Sequence, residues 1–451
     1  MHAPAVPQGT EMIYIQWEVT MNIQEMHEAK RTTVEQVIEQ VKSNDKIWTS
    51  YNSLEPTLFL KNLHKIAPKV ENVMIRHAGF ILPYDFVLDP ACKGHIVPIT
   101  GFTDDYTRSM HDSTRNTLFI PSHLHNGVER CGWESPDIFV CMATPMDENG
   151  YFRMSLSLIA EKDILPRCKR VILEVNDKLP ITNGETEVHI SEIDSFYESK
   201  EPLVTIPDSE PGDLDMEIGR YVASLVPDGA TIQLGIGNIP NAVAKFFMEK
   251  NDLGVHTEMI TSSMAKLAKA GVITGKKKTL HPGKIVGNFA MGSQELYDFL
   301  NNNPSVSIMR GSYTNNPWVI AQNDNMVSIN AALQVDMCGQ ICSESLGSVQ
   351  YSGTGGAADF ATGAAHSKGG KSIIAIRSTA KKGTISTIQP VLSPGSIVSI
   401  SRNDIDYIVT EYGIARMRGV PVSGRVDNLI NIAHPKFRDE LRAGAEKYRL
   451  W

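Results

Sequence analysis

Short apolar runs recur along this chain, separated by helical patterns or glycine-rich turns. Val34, Val37, Ile38 and Val41 fall at one-face spacing and predict a helix over 22–43. A strand is predicted over 46–51, Pro56 opens a helix at 57–60, and further strands are predicted over 73–75, 96–100, 117–120, 136–142 and 170–175. The second half begins alike. Ile218, Tyr221, Val222 and Leu225 form a helical stripe, Asp228-Gly229 turns, 230–234 reads as a buried strand, and Pro240 stands in the first turn of a helix. Strands follow over 255–260, 284–289, 305–309, 328–330 and 372–376. Alternation of buried strand and helix predicts an α/β fold with open sheets. Shifting the chain by 184 positions lays Asp45 on Gly229 and Pro56 on Pro240, which predicts two similar open α/β domains made by internal duplication. Under this shift Glu258 falls on Met74.

At 451 residues the chain is too long for one ordinary core. The proline-, serine- and acid-rich stretch around 200–215 is the natural linker, giving an N-terminal extension over 1–20, an N-terminal domain over 21–205 and a C-terminal domain over 212–451. The net charge of −8 is spread along the chain, which argues against nucleic-acid binding. No run approaches the ~20 apolar residues of a membrane span, and the start lacks a basic-then-apolar export signal, so a cytoplasmic protein is expected. Six cysteines lack Cys-x-x-Cys spacing and read as reduced thiols, including Cys338 and Cys342. His123 and His125 form the only close histidine pair, and a structural role is favoured over a zinc site, so no metal is expected.

Two glycine clusters carry the chemistry. The first, Gly235-Ile236-Gly237-Asn238, joins a strand to a helix N-terminus, a standard arrangement for holding a phosphate. Glu258 then brings a carboxylate into a weakly charged strand. The second cluster, Gly353-Thr354-Gly355-Gly356 with Gly363, has more glycine than a turn requires and suits the presentation of backbone N–H groups to an oxyanion or diphosphate. Lys381 and Lys382 follow a strand end, where they could serve phosphate or merely a solvated turn. Read alone, the first cluster also permits a nicotinamide-dependent oxidoreductase, with Glu258 near the offset of a ribose-binding acid, but Pro240 replaces the third glycine and the second cluster is left idle. Read alone, Glu258 is an ordinary carboxylate paired with Lys266 or Lys269, and His256 is structural.

Gln233-Leu234-Gly235-Ile236-Gly237-Asn238-Ile239-Pro240, His256-Thr257-Glu258 and Ser352-Gly353-Thr354-Gly355-Gly356-Ala357-Ala358-Asp359-Phe360, in this order and spacing, resemble the acyl-CoA:carboxylate CoA-transferases of the acetyl-CoA hydrolase/transferase group, which includes the 4-hydroxybutyrate and butyryl CoA-transferases. The likeness extends to 145–152 and 188–194 and covers the chain from about Met21. It implies two similar α/β domains with the active site in the cleft between them, Glu258 as nucleophile and Gln233 and Gly353 as oxyanion donors. It implies coenzyme A contacts at Gly235, Ile236, Gly237, Asn238, Ile239, Leu333, Gly356 and Lys381. Acyl-CoA and a short carboxylate such as acetate would be the substrates, with no tightly bound cofactor, in a homodimer or higher homo-oligomer. The rival carboxylate is Glu344, since a Ser-Glu-x-x-Gly segment marks the nucleophile in a related branch. The rival activity is acyl-CoA hydrolysis with the same residues.

Overall fold

The computed structural model describes residues 22–450. The N-terminal extension expected over 1–20 lies outside them. Two parallel sheets organise the molecule. The first contains β1 (Lys46–Thr49), β2 (Val73–His77), β3 (Ile96–Thr100), β4 (Leu118–Phe119), β5 (Ile138–Ala143), β6 (Val171–Asn176) and β7 (Ser195–Ser199), in the order β4-β3-β2-β1-β5-β6-β7. The second contains β8 (Thr231–Leu234), β9 (Gly254–His256), β10 (Ile285–Gly287), β11 (Val306–Ile308), β12 (Met326–Asn330), β13 (Lys371–Ala375), β14 (Tyr407–Thr410) and β15 (Gly413–Arg416), in the order β11-β10-β9-β8-β12-β13-β14-β15. Within these two sheets only the β14–β15 pair is antiparallel. In each sheet the first strand lies in the middle and the chain reverses its direction of winding beside it. That leaves a crevice at the carboxyl ends of the strands, where α/β sheets bind ligands.

The shared strand order supports the duplication, but the register corrects one detail of it. Ile47 meets Ile75 across β1 and β2, whereas its counterpart Thr231 meets Gly254 across β8 and β9. The loop before the second strand is therefore five residues shorter in the second half, and Glu258 corresponds to Gly79 rather than Met74. The strand expected over 255–260 is likewise broken. β9 ends at His256, and Met259–Ile260 pairs separately with Phe289–Ala290, so Glu258 sits in the break and does not share a regular strand face with His256. The helix expected over 22–43 is two helices, Ile23–Lys30 and Val34–Glu39, parted where Arg31 bridges to Phe196.

The halves are laced together by backbone. Leu158 N–H donates to the Asn288 carbonyl at 2.7 Å, Gly311 N–H to that of Leu158 at 2.8 Å, and Ala290 N–H to that of Leu156 at 2.9 Å. One apolar core runs through both, from Trp48 and Phe139 to Val255, Ile285 and Val409. Residues 200–212 contain no helix or strand and are strapped to the second half by Asp208–Lys266 at 2.5 Å and Glu210–Lys245 at 2.7 Å.

Candidate active site

Glu258 is fixed first through its backbone. Its carbonyl accepts from Asn288 N–H at 3.0 Å and Phe289 N–H at 3.2 Å, so the strand break is held rather than loose. Its Oε2 accepts from Asn315 Nδ2 at 2.9 Å, and Asn315 Oδ1 accepts from Asn288 Nδ2 at 2.6 Å. Asn315 and Asn288 are fully buried. Glu258 is half-buried and lines two adjoining hollows. Burial pushes its pKa up to about 7, opposed by the Asn315 hydrogen bond, assisted by the nearby Asp359 charge, and opposed again by the Gly356 N–H. Neither Lys266 nor Lys269 pairs with it, because Lys266 pairs with Asp208 and Lys269 with Glu295.

The second glycine loop closes over this carboxylate. A Cβ on Gly356 would stand 1.7 Å from Glu258 Oε2 and 2.2 Å from Asn315 Nδ2, and one on Gly353 would stand 2.2 Å from the Gly101 carbonyl of the first half. The loop thus needs glycine for close approach, to the carboxylate on one side and to the opposite domain on the other. Glu344 is buried at 3% exposure beneath the loop, where its oxygens accept weakly from Thr354 Oγ1 at 3.3 and 3.4 Å and from Gln350 Nε2 at 3.3 Å. It lines none of the hollows around Glu258.

Three hollows meet here. A cavity of about 270 Å³ between the halves is lined by Glu258, Met259, Phe289, Met291, Ile236 and Gly355 from the second half and by Trp48, Tyr51, Arg76, Phe102, Val128 and Ile159 among others from the first. A cleft beside it gathers Glu258, Gln233, Gly235, Gly353 and Gly356. A groove at the carboxyl ends of β8, β12 and β13 gathers Ile236, Gly237, Asn238, Ile239, Leu333, Arg377 and Ala380. Ile236 belongs to both the cavity and the groove, so the groove leads past it to Glu258.

The expected residues therefore divide in two. Gln233, Gly353, Gly356 and Gly235 stand with Glu258. Ile236, Gly237, Asn238, Ile239 and Leu333 line the groove. Gly356, expected beside coenzyme A, lies against the carboxylate and lines the cleft. Lys381, exposed with φ +45°, follows the groove residue Ala380 without lining the groove. Gln233 is held by β12, its Oε1 accepting from Ile329 N–H at 3.2 Å and its Nε2 donating to Asn330 Oδ1 at 3.2 Å. His256 is fully buried, with Nε2 on the Thr314 carbonyl at 2.8 Å and a pKa lowered to about 3 mainly by burial, as a structural histidine would be. His123 and His125 converge on Asp359 at 3.6 and 2.7 Å, and no cluster suited to a metal ion occurs among the described residues. All six cysteines are free. Asn315 and Asp359 escaped the sequence reading as functional candidates. Asn315 is contributed by a segment 57 residues after Glu258, with no local pattern to mark it.

Family models described as the acetyl-CoA hydrolase/transferase N-terminal and C-terminal domains match residues 18–207 and 292–445. The chain belongs to the acetyl-CoA hydrolase/transferase family. It is 43% identical over 411 residues, 90% of this chain and 93% of the relative, to a succinyl-CoA:cyclohexane-1-carboxylate CoA transferase of Geobacter metallireducens. It is 51% identical over 305 residues, 68% of this chain and 71% of the relative, to a 4-hydroxybutyrate coenzyme A transferase of Clostridium kluyveri. Among solved structures, RipA from Yersinia pestis superposes with a TM-score of 0.89 at 36% identity, covering 96% of this chain and 100% of that one. No helix among the described residues is long and apolar enough to cross a membrane.

Proposed function

We propose that this enzyme moves coenzyme A between a short-chain acyl-CoA, such as butyryl-, 4-hydroxybutyryl- or acetyl-CoA, and a carboxylate such as acetate, through Glu258. The observation that carries this reading is the position of Glu258. It lines a largely apolar cavity with room for an acyl chain, at the end of a groove that begins with a glycine turn and a helix N-terminus. The groove suits a nucleotide thioester. Gly237 caps the helix Asn238–Phe247 at φ +112° with open space where a Cβ would stand, leaving backbone N–H groups free to approach phosphate. The pantetheine arm would pass Ile236 to bring the thioester to Glu258.

A Glu258 oxygen attacks the thioester carbonyl, the C–S bond breaks, and CoA thiolate leaves an acyl–glutamyl anhydride. The thiolate attacks the glutamyl carbonyl, the anhydride C–O bond breaks, and the first carboxylate departs from a glutamyl-CoA thioester. The acceptor carboxylate reverses both steps. Every electron pair is accounted for without a net proton, so the site needs no acid or base beyond Glu258 itself. Asn315 aims the carboxylate, and Gln233 with N–H groups of the Gly353–Gly356 loop faces the oxyanions, where each such donor can contribute about 3 kcal/mol. Hydrolysis, with water as last acceptor, is disfavoured by the apolar lining of the cavity.

Initial rates with butyryl-CoA and acetate varied together test this reading. Parallel reciprocal plots and acetate-dependent formation of acetyl-CoA, with no release of free CoA, are expected. Intersecting plots would mean a ternary complex and exclude the relay, and CoA release indifferent to acetate would mean a hydrolase.

A further inference from the structure

The helix Ala357–His366 that follows the second glycine loop carries a buried acid in its first turn, Asp359, which is 1% exposed. An acid three residues after an N-cap ordinarily reaches back to the N-cap N–H. Here the N-cap is Gly356, whose N–H acts on Glu258 instead. Asp359 turns to the other half of the molecule. Its Oδ2 accepts from His125 N–H at 3.1 Å, its Oδ1 faces His125 Nδ1 at 2.7 Å, and His123 Nδ1 stands 3.6 Å from the same oxygen. No lysine or arginine pairs with it among the described residues. Further along the helix, His366 Nδ1 bonds the Thr362 carbonyl at 2.8 Å and Asp404 accepts from Thr362 Oγ1 at 3.3 Å, so those titratable groups are engaged elsewhere.

The same turn of the first half, Leu124–Asn126, backs the other partner of Glu258. A Cβ on Gly311 would stand 3.2 Å from Leu124 Cδ2, and the helix Gly311–Thr314 leads directly into Asn315. A clamp between the halves needs only hydrogen bonds, which an amide could make. A carboxylate adds a charge. Asn315 and the Gly356 N–H favour the ionised form of Glu258, and the Asp359 charge opposes them. That repulsion lasts only while Glu258 is ionised. Residue 258 is neutral in the acyl–glutamyl anhydride and in the glutamyl-CoA thioester, its charge having passed to CoA thiolate in the first step and to the departing carboxylate in the second.

We propose that Asp359, anchored by His125 of the first half, is a positioning residue that holds a negative charge beside Glu258, so that forming the covalent intermediates relieves a repulsion built into the free enzyme. The inference rests on the CoA-transfer reading and concerns the balance between free Glu258 and its CoA thioester. Protonation and acylation both neutralise Glu258, so one charge should govern both.

The test compares wild type, Asp359→Asn and His125→Gln in two measurements. The first is the acid limb of kcat/KM for butyryl-CoA. The second is the fraction of chain carrying the mass of CoA after an acid quench, with butyryl-CoA and butyrate held in a fixed ratio at a pH above the limb. Asp359→Asn keeps the size of the side chain and an acceptor for the His125 N–H. It should lower the limb by about half a pH unit or more, and the ratio of adduct to free enzyme should fall in proportion, about tenfold for each unit of limb shift. The smaller Asp359→Ser should follow it. His125→Gln retains the charge, so its limb should hold or rise. A limb unmoved or raised in both Asp359 variants, an adduct ratio that does not follow the limb, or an equal fall in His125→Gln would overturn the assignment while leaving transfer intact. Absence of a CoA adduct from the wild-type enzyme would remove the transfer reading and this inference with it.

Discussion

At the scale of the residue, the proposed nucleophile Glu258 would trade stability for reactivity. Its pKa of about 7 means that a carboxylate needed as a nucleophile is partly protonated at neutral pH. The kcat/KM for acyl-CoA should therefore fall on the acid side of an apparent pKa near 7, about tenfold per pH unit well below it. Asn315→Ala removes the hydrogen bond that favours the charged form, so the acid limb should move to higher pH and activity should drop by about 10–100-fold. An unmoved limb in that variant would show that Asn315 does not set the carboxylate's protonation. Stability follows with a definite sign. A carboxyl group raised from 4.5 to about 7 costs nothing below pH 4.5, where folded and unfolded forms are both protonated. As pH rises through 7 it becomes charged in a folded site that disfavours the charge. Glu258→Gln should match wild type near pH 4.5 and exceed it at pH 8 by at most about 3 kcal/mol, read from denaturant unfolding at the two pH values.

At the scale of the element, most strands were legible because a strand buried on both faces reads as an uninterrupted apolar run. That is why the predicted strands over 96–100, 136–142 and 170–175 fall on β3, β5 and β6 within two residues. The errors lie where the backbone departs from regularity for a reason outside the local sequence. The strand expected over 255–260 breaks because Asn288 and Phe289 N–H groups capture the Glu258 carbonyl. The helix pattern over 22–43 is interrupted by the Arg31–Phe196 bridge. β14 and β15 went unread, being short and at the sheet edge. The site was legible in part. The glycine turn, Glu258 and the second glycine loop carry local signatures, whereas Asn315 is an amide in an ordinary turn and Asp359 an acid in the first turn of a helix. Both acquire meaning only through the fold. The second glycine loop yields a sharp prediction. Gly356→Ala places a methyl group on Glu258 Oε2 and Asn315 Nδ2, and the carboxylate cannot stay where it is. Transfer should fall at least 100-fold, with a melting temperature nearer to that of wild type than a core mutant would show. Activity within a few-fold of wild type would mean that the loop does not press on the carboxylate.

At the scale of the whole molecule, the two halves are similar in topology but do not stand as separate bodies. One apolar core spans both sheets, and backbone hydrogen bonds from 156–158 reach across to 288–290. The Asp359–His125 contact ties the helix after the glycine loop to the first half. Calorimetry should accordingly give a single cooperative unfolding transition. A fragment of residues 212–451 should fail to fold alone, because Phe289, Ala290 and Ile308 would lose the partners that cover them. Two resolved transitions, or a soluble and cooperatively folded fragment, would contradict that description. The shared cavity gives the integration a functional reason, since both halves line it around Glu258.

The central claim is that Glu258 carries coenzyme A covalently between the two substrates. Wild-type enzyme incubated with acyl-CoA, reduced with borohydride and digested should lose activity and show a peptide whose mass marks residue 258 as reduced to the alcohol. Reduction at Glu344 instead, or an unmodified protein that nevertheless turns over acyl-CoA and acetate, would contradict it.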